Sequence, residues 1–318
     1  MIRRPAVVLA LWTVGVVTVG AGVFALLDVA SVHWVAANSD GATIVLQGQS
    51  MRSGSILLSG WSLPLDSFFT TEVPFYAIAD ALVGLGHGLV NAVPAVIASV
   101  VVLVAVALAA RPGRGSTSLA GAAFVVALLA LPSPALSYFF LQGPWHVGTA
   151  LACLVAFAGA SSGRFDARAA LAVLALTLGL LGDVQILALG VVPVLLGGVV
   201  GSCRARSLRV LWPPSAIALS SVVLAYGLRK LADAVGTFTL VGANPTARLA
   251  EVGINFRHLP SRFAGLFGVG TVPIGPDTTA SRFAVVHAIA LAVVLVGFAG
   301  GLFSLFRGAI LGDARQHL

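Results

Sequence analysis

The sequence predicts an all-α polytopic integral membrane protein of about eight transmembrane helices with a structured first outer loop. Of its 318 residues, 58% are hydrophobic and 9% charged, where a soluble domain carries roughly a quarter charged residues. Too few charges remain to cover a water-facing globule of this length, and the mean hydropathy is +1.03. The apolar residues also fall into runs long enough to cross a hydrocarbon core of ~30 Å at ~1.5 Å per residue.

The first run, residues 5–27, follows Arg3 and Arg4 and exceeds the apolar region of about 7 to 15 residues in a signal peptide. Further runs cover 89–110, 119–141, 146–162, 169–181, 186–201, 210–228 and 283–306. The stretch 169–201 is too long for one upright helix. Arg164 and Arg168 precede it and Arg204, Arg206 and Arg209 follow it, so the positive-inside rule makes it go out and return, with residues 182–185 at the outer tip. This arrangement places about 11 of the 18 Lys and Arg residues inside, with both termini cytoplasmic in a plasma membrane. Only Asp166 and Asp313 of the acids then lie inside, and any chemistry faces outward. The whole chain, 1–318, reads as a single transmembrane domain.

The net charge of +7 reflects loop arginines that set orientation, with no nucleic-acid motif and no nucleic-acid partner expected. Cys153 and Cys203 have no ligand partners nearby and form neither a disulfide framework nor a metal site.

The first outer loop, 28–88, contains two expected interfacial helices. Ser39 and Asp40 precede a stretch over 41–52, with Gly54 to end it, so Asp40 sits at a helix N-terminus where peptide dipoles favour a carboxylate. The second helix covers 73–85. Pro74 suits its first turn, and Thr70, Thr71 or Glu72 is available as its cap. The second large outer loop, 229–282, carries Arg229, Lys230, Arg248, Arg257, His258, Arg262 and Arg282 against Asp233, Glu251 and Asp277. Cations at an outer membrane boundary need a counter-charge, and a membrane lipid or lipid-linked phosphate supplies one.

Asp40, then 51–54 (Met-Arg-Ser-Gly), then 61–69 with Asp66 before two phenylalanines, then Glu72-Val73-Pro74-Phe75-Tyr76 follow one another in an order that resembles the GT-C class of membrane glycosyltransferases. Polyprenyl-phosphate-dependent protein mannosyltransferases and aminoarabinose transferases belong to this class. The resemblance covers about 5–230 as topology and about 40 residues as motif. It implies transfer of a sugar from a polyprenyl-phosphate donor to a cell-envelope acceptor on the outer face. Asp40 takes the place of the catalytic base in a single displacement with inversion. Asp66 and Glu72 fall in the substrate-binding loop, and Arg248, Arg257, His258 and Arg262 are candidates to hold the phosphate. His146, in the outer turn 142–146, is a further candidate phosphate contact. Many members carry a second acid where this chain has Gly41, so a divalent metal is left open and no metal ligand is assigned. Members usually continue through more spans, which makes this chain a fragment or a minimal member.

Plainer readings stand beside these. Asp40 and Glu72 also suit helix caps, Asp66 a turn before aromatics, and Trp61, Phe68, Phe69 and Trp145 interfacial anchors. Asp183 and Gln185 either meet a cavity or partner or are solvated at the tip. Two other functions remain open: a non-catalytic accessory or assembly protein of the same fold, and a transporter of a lipid-linked substrate. Transport predicts mid-span polar residues and an internal repeat, and neither stands out here.

Overall fold

The computed structural model describes residues 4–110, 116–161, 163–242, 249–269, 288–289, 291–300 and 303. The chain is mostly helical. The first helix, α1, runs Arg4–Trp34 and passes the expected end at Leu27 because no breaker intervenes. Asp28 is therefore on a helix rather than in a loop. Polar Ser31, fully buried there, donates to Asn91 Oδ1 at 3.1 Å and to the Leu141 carbonyl at 3.3 Å.

Both helices expected within 28–88 are present. In α2, Ser39–Arg52, the cap is Asn38, whose side chain accepts from the Gly41 N–H at 2.8 Å. Gly54, at φ 107, ends the helix in a backbone conformation that glycine adopts without penalty. The next helix, α3, spans Val73–Val83 and stops at Gly84. The two cross closely at Gly48, where a Cβ would lie 2.6 Å from that of Tyr76. Arg52 reaches over to the buried Asp80 at 3.1 Å.

The bundle follows: α4 Leu89–Ala109, α5 Ser116–Leu129, α6 Pro134–Leu141, α7 Val147–Ala160, α8 Ala167–Gly182, α9 Val192–Ala205 after a π-helical turn Leu187–Val191, and α10 Trp212–Ala234. One more helix, α11, covers Leu249–Leu266.

The expectation of about eight spans is met only in part among the described residues. Among the described residues four helices are long and apolar enough to cross a membrane: Thr13–Trp34, Leu89–Ala109, Leu187–Ala205 and Leu208–Ala234. The single run expected over 119–141 is broken, since α5 and α6 meet at 87°. Ser133 caps α6 and Pro134 starts it, which forces a new helix where hydrophobicity alone reads as one. Counting that pair gives five. Helices α7 and α8, of 14 and 16 residues, reach only ~21 and ~24 Å. Part of the last expected span, 283–306, lies outside the described residues, which include a helical piece at Leu291–Gly300.

Small residues bring the short helices together. A Cβ at Gly159 of α7 would collide with the Arg168 carbonyl of α8. Large apolar side chains point outward along the bundle, among them Leu174, Leu196, Leu219 and Tyr226. Such a surface is compatible with a membrane protein. The ends of the helices sort into two groups. The loop between α2 and α3, the α6–α7 turn, the α8–α9 tip and the end of α10 meet at one end of the bundle. Ser62–Leu63 (β1) pairs in parallel with Thr239–Leu240 (β2), in register Ser62 with Thr239. Arg168 lies in the first turn of α8, beside its Asp166 cap, and Arg204 in the last turn of α9.

Candidate active site

Where those segments meet, a cavity of about 310 Å³ opens. Helix α2 supplies Asp40, Thr43, Ile44 and Gln47, whose spacing sets them on one helical face. The loop before α3 supplies Pro64, Asp66, Ser67 and Phe68, and the turn before α7 supplies Pro144, Trp145 and His146. Three of the expected site residues, Asp40, Asp66 and His146, thus share one cavity. Asn38 occupies the cap of α2, so the exposed Asp40 stands in the first turn with its carboxylate on the cavity wall.

The segment carrying Asp66 is fixed from below. Phe68 N–H donates to the Gly182 carbonyl at 2.7 Å, Ser67 Oγ to the same carbonyl at 3.4 Å, and Thr70 Oγ1 to the Leu178 carbonyl. The first two donors satisfy the Gly182 carbonyl, one of the last-turn carbonyls of α8 that have no partner within the helix. Phe68 and His146 both hold positive φ, 52° and 61°, and their rings meet edge to face at 5.2 Å. Left-handed backbone at such residues costs of order 1–3 kcal/mol and persists only where surroundings fix it.

For His146 the surroundings are clear. Its Nδ1 lies 2.6 Å from Asp183 Oδ2, and its Nε2 lies 3.1 Å from the side-chain nitrogen of Gln185. Asp183 is fully buried and also accepts from Thr149 Oγ1 and, at 2.9 Å, from the Gln185 N–H. Burial pulls the His146 pKa down, but the hydrogen bond and charge of Asp183, helped by Asp66 and Glu72, bring it above the usual histidine value. Burial pushes Asp183 up, and the bonds from His146, Thr149 and Gln185 bring it below the usual aspartate value. The solvated alternative for Asp183 is therefore overturned. The reason is that the tip folds back onto α7 instead of ending in water. Asp183 is the site residue that sequence reasoning left without a role, and its one signal was a carboxylate at the edge of apolar runs.

Glu72 is corrected as well. It occupies the cap position of α3 without capping it, is fully buried and is absent from the cavity wall. Its Oε1 instead accepts from the Gly148 N–H, in the first turn of α7, at 3.3 Å. Burial raises its pKa from 4.5 to about 7. A Cβ at Gly148 would run into the Thr71 carbonyl, so α7 sits directly on this strand of the loop.

The basic candidates of the late loop fare differently. Arg257, His258 and Arg262 are exposed on α11 and do not line the cavity. Arg248 lies outside the described residues. Nearer the site, Arg229 is committed to Asp233 at 2.6 Å and stacks over Phe238 at 4.6 Å, which in turn packs on Phe69. Among the described residues no three His, Cys, Asp or Glu side chains converge as a metal-binding set. The cavity therefore offers two carboxylates, an oriented imidazole and an aromatic wall in Trp145 and Phe68. Such a set can accept hydroxyl protons and meet one negative charge. No family model, no curated protein and no solved structure matches this chain.

Proposed function

We propose that this chain is a membrane glycosyltransferase that moves a sugar from a polyprenyl-phosphate carrier to a cell-envelope acceptor. The observation that carries the proposal is the convergence of Asp40, Asp66 and His146 on one cavity at the loop end of the bundle. In this reading that end faces outward across a plasma membrane and the arginine-rich end is cytoplasmic. The order of residues in the first outer loop, which resembles that of GT-C enzymes, supports the same chemistry.

The step is a displacement at the anomeric carbon. Asp40 removes the acceptor hydroxyl proton as the acceptor oxygen bonds to that carbon. The bond from the carbon to the phosphate oxygen breaks, and its electron pair leaves with the lipid phosphate. Asp66 accepts hydrogen bonds from sugar hydroxyls and fixes the ring. The resemblance offered Arg257, His258 and Arg262 as phosphate ligands, but those residues stay off the cavity wall, so they are not assigned that role here.

The test is transfer of labelled sugar from a panel of polyprenyl-phosphate donors by the purified full chain and by Asp40→Asn. General-base removal costs about 10²- to 10⁴-fold in rate, so the variant loses transfer by that factor while keeping donor binding in native mass spectrometry. Absence of donor binding to a folded wild-type protein overturns the proposal.

A further inference from the structure

His146 has one ring position to offer a ligand. Its Nδ1 is held by a buried carboxylate, which is itself fixed by Thr149 and by the Gln185 N–H. The remaining atom, Nε2, meets the exposed side-chain amide of Gln185, at 3.1 Å. An exposed amide on a ring nitrogen is an exchangeable partner, since it loses little by turning to water. The rest of the cavity is acidic. Asp40 from α2 and Asp66 from the loop line it, and Glu72 and Asp183 stand behind His146. Among the described lining residues His146 is the only basic one, and an anion entering past two carboxylates needs its proton.

We infer that Asp183 is a positioning residue that fixes the His146 ring so that Nε2–H receives the phosphate of the lipid-linked donor, displacing the side chain of Gln185. The inference rests on the proposed function and assigns its phosphate contact. A backbone held at φ 61° and the edge contact with Phe68 restrict the ring to this presentation. Donor binding is then linked to one proton. Affinity is full where His146 is protonated and falls about tenfold per pH unit above its titration. The carboxylate of Asp183 holds that titration high, in the direction its contacts already favour.

The experiment measures binding of polyprenyl-phosphoryl mannose, glucose and arabinose to the full chain in detergent between pH 5.5 and 9. These phosphodiesters keep one charge throughout, so any pH dependence belongs to the protein. Histidine ring NMR on the same samples follows His146 directly. Wild type is expected to lose affinity as pH rises through the His146 titration. Asp183→Asn is expected to move both that titration and the binding profile to lower pH by about one unit. His146→Gln is expected to bind at least tenfold more weakly at pH 6, with the loss of affinity that tracks the His146 titration gone and only the weaker effect of Glu72 ionising near pH 7 remaining. Gln185→Ala, an exposed change that leaves the fold intact, is expected to bind as well as wild type or better.

Binding that ignores pH in wild type overturns the inference, as does a Gln185→Ala variant as weak as His146→Gln. Transfer activity lost in Asp40→Asn alongside pH-independent binding leaves the proposed function standing and removes only the role of His146. Failure of wild type to bind any diester at any pH overturns both.

Discussion

Glu72 shows how an acid can be placed for packing and still govern pH behaviour. Its carboxyl is fully buried and its folded pKa of about 7 exceeds the ordinary 4.5. The folded state therefore holds this proton more tightly than the unfolded chain. Stability falls as pH climbs from 4.5 towards 7 and levels off above that, a loss of about 3 kcal/mol at 1.36 kcal/mol per unit. Glu72→Gln keeps an acceptor for the Gly148 N–H and removes the ionisation. It is expected to raise Tm above pH 7 and to change it little below pH 4.5, read by a thermal melt at several pH values. The pair beside it has the opposite dependence at its two edges. The contribution of His146 fades as pH rises through its raised pKa, and that of Asp183 fades as pH falls through its lowered one. Asp40 and Asp66 were legible in the sequence because spacing along one loop is a one-dimensional signal. The partnership of His146 with Asp183 was not, because 37 residues separate them and only the packing of α8 on α7 makes them neighbours.

At the scale of elements, capping decides what periodicity leaves open. Hydropathy alone suggests a single run over 119–141, yet Ser133 accepts the Leu136 N–H at 3.0 Å and α6 departs at 87°. Two prolines flank Ser133, and their local chemistry outweighs the apolar average. The start of α2 carries a related lesson. Ser39 and Asp40 look like caps, but Asn38 takes the position, and this is what leaves Asp40 for the cavity. Asn38→Ala is expected to cost about 1 kcal/mol of stability and to reduce transfer by loosening the turn that presents Asp40. A melt together with initial rates checks both. Asn38→Asp keeps an acceptor at the cap and is expected to restore both. The helix expected over 73–85 is present as Val73–Val83, because its start and stop are written in Pro74 and Gly84. The two-residue pairing of β1 with β2 left no sequence signal, since strands so short have no period to read.

For the whole molecule, arginine placement predicts that the end of α9 and the β1–β2 end of the bundle lie on opposite faces. Ser62 and Thr239 are partners at one end, and the exposed Cys203 closes α9 at the other. Single cysteines at Ser62 and Thr239, in a chain with Cys203→Ser, are expected to react with a membrane-impermeant maleimide from the same face of sealed vesicles. Native Cys203 is expected to react only from the opposite face. Labelling of Ser62→Cys and Cys203 from one face would contradict the arrangement. The number of crossings was hard to read, because α7 and all but the first turn of α8 are largely apolar and yet short of a full hydrocarbon thickness.

The contact of β1 with β2 also has a consequence in time. Ser59 and its bonding partner Gly236 are 177 residues apart, and a ribosome adding about 5 to 20 residues per second needs roughly 10 to 35 s to cover that distance. Throughout this interval the loop bearing Asp66 has been made, while the strand that closes its edge is still unwritten. A nascent chain thus passes through a period in which the segment leading to Asp66 lacks its edge partner, which is delivered only after α10 has been made.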